Sequence, residues 1–445
     1  MICNLEQQLK EVSTTTVVGS VVETVGMTAA VADFPAPVGA LVCIGRESGL
    51  PAAGEVIGFR NGLTLVYLST SAAGVCRGNR VRMVRTTRSL RAGDGLLGRV
   101  VDANGRAIDG RPQPTLPDRI RPDRQPPSPM DRPRIRSPLP TGVHVIDSML
   151  TCGRGQRLGI FSGSGVGKSV LLGMMARHTE ADVVVIGLVG ERGREVNDFL
   201  ERDLGAEGLK RSVVVVATSN EPALARVHAA FTTTAIAEYF RDQGRNVLML
   251  LDSATRFAMA QREIGLAAGE PPATRGYPPS MFALLPKLVE RAGQNRHGSI
   301  TAFYSVLVEG DDETEPVSDT MRGLLDGHVW LSRKLASRAH YPAVDVLPSV
   351  SRLMNDLVTP EHVAATATIR RLLAVYEQHE DVLSLGAYRR GSNPEVDVAV
   401  EMREAIEALF RQDVVKSLPF DQVVGQLNHL AAQCRAALSA ASAAA

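Results

Sequence analysis

Gly159-Ile160-Phe161-Ser162-Gly163-Ser164-Gly165-Val166-Gly167-Lys168-Ser169 is the stretch on which the reading of this chain turns. A short apolar run, Arg157 to Phe161, precedes a glycine-rich turn, and Val170 to Ala176 continue with a helical pattern. Strand, glycine loop, lysine, hydroxyl and helix together make a phosphate cradle. Glycines let successive backbone N–H groups converge on phosphate oxygens, with a helix N-terminus behind them. Lys168 is placed to reach β- and γ-phosphates, and the Ser169 hydroxyl to ligate Mg²⁺. One position departs from the strict G-x-x-x-x-G-K-[ST] pattern. Ser162 stands where the first glycine is usual, and it is small enough for the loop to close. Residues Ser162 to Val170 are therefore the candidate nucleotide site.

Outward from this loop the chain alternates apolar strands with helical segments. Arg157–Phe161, Val183–Val189, Ser212–Thr218, Val247–Asp252 and Ser299–Leu307 read as strands. Such alternation predicts a parallel sheet with helices on both faces and a ligand at the carboxyl ends of its strands. Two acids sit at such ends. Asp252 closes the run Asn246-Val-Leu-Met-Leu-Leu-Asp, where a carboxylate holds Mg²⁺ directly or through water. Glu191 follows Val183–Val189 and Gly190, so it is expected beside the γ-phosphate, orienting the attacking water. Glu195 competes for that role. Arg192 joins the candidate catalytic set, and Arg192 and Arg194 are also ion-pair partners for these acids.

On the N-terminal side, short β-branched runs recur at Val17–Val25, Ala40–Ile44, Glu55–Phe59, Leu63–Leu68 and Arg80–Val84. Asn61-Gly62 between two of them is a hairpin signal. Five or six short strands predict a small closed or nearly closed β-barrel. Ahead of it, Ile2, Leu5, Leu9 and Val12 share a helical stripe that either packs on its own domain or docks a partner. Ten of the 25 prolines fall between Pro112 and Pro140. That density predicts that Arg85 to Thr141 is an extended connector free of regular helix or sheet. From about Val358 the pattern is helical. Thr359-Pro360-Glu361 and Asn393-Pro394-Glu395 are helix starts, and helices are expected near Glu361–Glu380, Pro394–Gln412 and Asp421–Ala437. The Ser439–Ala445 run is expected to fray. The fold class is thus α/β, with a barrel (residues 1–88), a P-loop domain with a proline-rich lead-in (89–357) and a C-terminal helical domain (358–445).

Composition narrows the function. Lys+Arg 49 against Asp+Glu 48 gives a net charge of +1, and the barrel segment lacks aromatics interleaved with basic residues. Nucleic acid is therefore not the expected partner. Five scattered cysteines show neither C-x-x-C spacing nor a disulfide framework, which predicts a reducing compartment. The nine histidines form no zinc-type cluster. No apolar run approaches the roughly 18 residues of a membrane span, and the N-terminus lacks the layout of a signal peptide. A cytoplasmic protein is expected.

At this point a resemblance becomes specific. Residues 162–169, Gly190-Glu-Arg-Gly-Arg-Glu195, Asp252-Ser-Ala-Thr-Arg-Phe257, Arg275-Gly-Tyr-Pro-Pro-Ser280 and Pro342-Ala-Val-Asp-Val-Leu-Pro-Ser-Val-Ser351 resemble the rotary-type hexameric ATPases. Thr151–Gln156, Leu285–Gly293, Val308–Asp312 and Leu325–His328 resemble one branch of that family, the type III protein export ATPases, flagellar or injectisome. That branch usually carries alanine where Ser162 stands. The resemblance implies that Tyr341 stacks on adenine and that Arg352 is an arginine finger for a neighbouring subunit, worth about 10³–10⁵ in rate. With Lys168, Glu191, Asp252 and Arg352 in one chain, a head-to-tail homo-oligomer completes a site at every interface; the family's ring is a hexamer, so a homohexamer is expected. By the same resemblance a regulatory stator protein docks at the N-terminus. The C-terminal helices meet the export gate, a central stalk protein, chaperones and cargo, with peripheral membrane association through the export apparatus only.

Three other readings compete. A rotary ATP synthase catalytic subunit carries an acidic loop where Gly386–Asp397 is basic. An RNA translocase is disfavoured by charge, and a non-catalytic nucleotide-binding scaffold by the presence of Glu191. Gly386-Ala-Tyr388 and Gly391-Ser-Asn-Pro394 look more flagellar than injectisome.

Overall fold

Asn61 and Gly62 both adopt positive φ, 50° and 76°, the geometry of the two-residue turn that tightens a twisted hairpin. They join β4 (Ala52–Arg60) to β5 (Leu63–Leu68). With β1 (Val18–Val25), β2 (Thr28–Ala32), β3 (Leu41–Ile44) and β6 (Arg80–Arg85) these close a barrel in the order β1-β2-β5-β4-β3-β6. Val21, Val31, Val42, Ile44, Val56, Val66, Leu68 and Val81 fill it. The barrel predicted from spacing is thus closed and six-stranded. Its β2, Thr-Ala-Ala-Val-Ala, has weak strand propensity and is held by pairing on both sides. This computed structural model describes residues 16–308 and 315–444. The stripe Ile2, Leu5, Leu9 and Val12 lies outside the described residues, as do residues 309–312 of the Val308–Asp312 motif.

The connector is more ordered than its prolines predict. Leu90–Ala92 (β7) pairs with Asp118–Ile120 (β9), and Arg99–Asp102 (β8) forms the outer edge of the main sheet. The correction has a local cause. Val100 and Val101 precede the Asn104-Gly105 turn and are buried, and pairing with one neighbour suffices for an edge strand. Arg99 secures the segment through Asp109, Nε to Oδ2 at 2.7 Å.

The main sheet comprises β10 (Arg157–Ser162), β11 (Val183–Glu191), β12 (Ser212–Thr218), β13 (Asn246–Asp252), β14 (Gly293–Gln294), β15 (Ser299–Leu307), β16 (Gly327–Leu331) and β17 (Val344–Ser351), with β8 at its edge. The order is β17-β16-β10-β15-β13-β11-β12-β8, and β14 pairs with β15. All pairings are parallel except those of β14 and β17. Strand side chains alternate between faces. Val184 and Ile186 lie in the core that includes the helix Lys168–His178, whereas Val183 and Val185 face the helices Ala223–Asp242 and Ala254–Ala267.

Three helices end the chain: Pro360–Ser384, Pro394–Phe410 and Phe420–Ala444. Thr359 caps the first by accepting from His362 N, and Asn393 caps the second by accepting from Glu395 N. The last continues through the run expected to fray, because Leu438 and Ala441 still pack on the core and alanine is the best helix former. Among the described residues no helix is long and apolar enough to cross a membrane.

Candidate functional site

The loop leaves the carboxyl end of β10 and enters the helix Lys168–His178. Gly165 and Gly167 have φ of 78° and 93°, a region that excludes most side chains. Ser162 ends β10 without positive φ, so a serine costs the backbone nothing there. Its hydroxyl is buried without a hydrogen-bond partner. Ser164, Gly165 and Ser169 are exposed, and Val166 is buried beneath them.

Lys168 lies between two carboxylates. Its Nζ is 2.5 Å from Asp252 Oδ1 and 3.8 Å from Glu191 Oε1. Burial opposes its charge, yet Asp252 and Glu191 outweigh that penalty and raise its pKa. Asp252 also accepts from Ser305 Oγ on β15 at 2.6 Å. Glu191 is next in sequence after the loop's helix but not next in space, since β15 and β13 separate β10 from β11. A bulge at Gly190 (φ 74°) brings it in. Its carboxyl is pushed up to about 7, first by burial and then by the charge of Asp252. Glu195, the competitor, is half exposed and engages Arg192 at 3.5 Å. Arg192 is itself 80% exposed at the rim.

Tyr341 rests beside the loop: a Cβ built on Gly167 lies 3.6 Å from its ring, and the ring is 45% exposed. Arg352 is elsewhere. It follows β17, which runs antiparallel to β16, so it emerges where the parallel strands begin. Its N–H donates to Asp326 O, and Asp326 pairs with Arg157 at the first residue of β10. A strand of six residues spans about 20 Å, so the geometry keeps Arg352 from the loop of its own chain.

Two groups near the site have no role in the motif reading. Ser305 is an unremarkable strand residue until the sheet order sets it against Asp252. Arg256 lies four residues after Asp252, one turn into the helix that Ser253 caps. Its Nε is buried without a partner, and its charge works against that of Lys168. A Cβ on Gly190 would stand 2.8 Å from Arg256 Cβ, so Gly190 admits this arginine to the site. The signal was the i, i+4 spacing from an acid at a strand end.

Comparison with known proteins agrees with this architecture. The model of the ATP synthase alpha/beta family nucleotide-binding domain matches residues 142–351, and that of the T3SS EscN ATPase C-terminal domain matches 358–429. A flagellum-specific ATP synthase of Treponema pallidum is 51% identical over 97% of this chain and 96% of its own. A type 3 secretion system ATPase of Xanthomonas euvesicatoria is 46% identical over 96% of this chain and 95% of its own. Among solved structures, the assembled ATPase EscN of the enteropathogenic E. coli type III secretion system superposes with a TM-score of 0.87 at 41% identity, covering 93% of this chain and all of EscN. EscN in complex with its central stalk EscO gives 0.85. Architecture and similarity over nearly the whole length coincide, and the chain belongs to the family of flagellar and type III secretion ATPases.

Proposed function

We propose that this chain hydrolyses ATP to ADP and phosphate in a homohexameric ring that energises type III protein export, flagellar export in the first instance. The observation that carries the chemistry is Lys168 held at the phosphate loop between Asp252 and Glu191. On nucleotide arrival, Lys168 exchanges carboxylate contacts for phosphate oxygens, and the N–H groups of Gly165 to Ser169 wrap the phosphates. Glu191 orients the attacking water and takes its proton. A carboxyl poised near neutrality suits that role. Asp252 and Ser169 offer hard oxygen donors, the set Mg²⁺ prefers, and the side-chain contacts of Asp252 with Lys168 and Ser305 both use Oδ1. Bound there, Mg²⁺ would neutralise charge on the β- and γ-phosphate oxygens. Tyr341 stacks on adenine, and Arg352 serves the site of the next subunit.

The assembled EscN structure supports self-association, and its complex with EscO supports a central stalk partner. A stator protein at the N-terminus, an export gate, chaperones and cargo complete the proposed partners, at the cytoplasmic face of the membrane. The identity to the Xanthomonas secretion ATPase sustains an injectisome role as the second reading, and the neighbouring genes separate the two.

The ring mechanism is tested by mixing. Arg352→Ala and Lys168→Ala are each expected to be nearly inactive. Mixed rings contain interfaces with an intact finger and an intact loop, so turnover returns. Mixed rings of verified composition that stay inactive at every ratio refute a finger in trans.

A further inference from the structure

Gly163 is buried, yet its φ is not left-handed. What crowds it is Arg333. A Cβ built on Gly163 would lie 2.5 Å from an Nη of Arg333 and 2.6 Å from its Nε, so the guanidinium lies across the first turn of the loop. Arg333 is exposed and has no acidic partner among the described residues. It opens the short helix Arg333–Ser337, which Ser332 caps through Leu335 N. This segment touches the loop twice. Tyr341 lies beside Gly167 and donates from its hydroxyl to Ala336 O at 3.3 Å. Away from the loop, the segment is fastened to the C-terminal helices. Lys334 Nζ and Arg338 Nη2 both bind Glu380 of the helix Pro360–Ser384, the latter at 2.8 Å.

We propose that Arg333 is a positioning residue for the phosphate loop and that Glu380 sets its reach by anchoring the helix that carries it. The inference rests on residues 162–169 being the ATP site. A guanidinium lying on Gly163 holds the first turn down, so the N–H groups of Gly165 and Gly167 converge before nucleotide arrives. Such preorganisation lowers the ordering cost of binding. It therefore belongs in KM rather than in the chemical step. Because Glu380 lies on the C-terminal helices, a shift of that helix moves Arg333 on the loop, and nucleotide affinity follows the position of the helical end of the molecule.

The test is steady-state ATP hydrolysis and nucleotide binding by the full-length assembled chain. Arg333→Ala is expected to raise KM and Kd for ATP roughly fivefold with kcat within about twofold. Arg333→Lys should recover part of the loss, since it restores the charge but not the planar contact. Gly163→Ala displaces the guanidinium without removing it and should raise KM in the same direction, which keeps the test valid if Arg333→Ala folds poorly. Glu380→Gln should raise KM about twofold or more. Unchanged KM in both Arg333→Ala and Gly163→Ala, or a fall in kcat at constant KM, overturns the positioning role. Normal KM in Glu380→Gln overturns the anchoring role. Lys168→Ala is the control: if it hydrolyses ATP like the wild type, the site assignment itself has failed.

Discussion

Glu191→Gln should make the empty protein more stable while nearly abolishing turnover. The carboxyl of Glu191, 16% exposed, is raised from an ordinary 4.5 to about 7 by burial and the charge of Asp252. A raised carboxyl pKa means that the folded state holds its proton more tightly than the unfolded state does. Stability linked to this group is therefore present below pH 4.5 and lost as pH rises through about 7. The full penalty at pH 8 is about 3 kcal/mol at 1.36 kcal/mol per unit. Glutamine keeps the shape of the protonated acid and carries no charge, so it escapes the penalty. The Tm of the nucleotide-free protein should rise by about 3–5 °C at pH 8, and the gain should vanish toward pH 4.5. Loss of a general base costs about 10²–10⁴ in rate, so kcat falls by that order while ATP still binds. Scanning calorimetry across pH, with hydrolysis and binding assays alongside, reads all three quantities. A variant that melts lower than wild type at pH 8, or retains more than a tenth of its turnover, refutes the reasoning. The second outcome transfers the role to Glu195.

Three further outcomes follow from single contacts. Arg256→Gln removes a guanidinium whose Nε is buried without a partner and whose charge acts on Lys168, so kcat should fall by about 10²-fold with smaller change in ATP affinity, measured by single-turnover and binding assays. Tyr341→Ala should raise KM for ATP by roughly tenfold, the scale of one base–aromatic stack, whereas Tyr341→Phe stays near wild type in the same steady-state assay. Glu238→Gln leaves Arg291, 2% exposed and bound through Nε and Nη2 to that carboxylate, without its counter-charge. Denaturant unfolding should show a loss of about 3–5 kcal/mol.

The features legible in the sequence were those written in neighbouring residues. Gly165 and Gly167 declare positive φ, Asn61-Gly62 declares a hairpin, and Thr359-Pro360 and Asn393-Pro394 declare helix starts. What lay beyond reach depended on partners distant in the chain. The strand Thr28–Ala32 exists because β1 and β5 flank it, and Arg99–Asp102 because β12 offers an edge inside a proline-rich connector. Ser305 and Arg333 gain meaning only once the sheet places β15 and β16 on either side of β10. Arg256 was within reach, because its spacing from Asp252 is local.

Strand direction also bears on what one copy of this chain can do. Parallel strands deliver Lys168, Glu191 and Asp252 to a single edge of the sheet, because each follows or ends a strand running the same way. β17 runs the other way, and it carries Arg352 to the opposite edge. No rotamer of an arginine bridges a sheet about 20 Å deep. A chain with Glu191 and Lys168 at one edge and Arg352 at the other does not unite them by closing on itself. In the proposed ring the Arg352 edge of one copy meets the loop edge of the next, a contact between unlike faces that closes as a ring where its rotation permits. Turnover per chain should therefore rise with protein concentration until rings are complete, with oligomer mass measured in the same samples. A monomer that hydrolyses at the full rate would break this chain of reasoning at its last link.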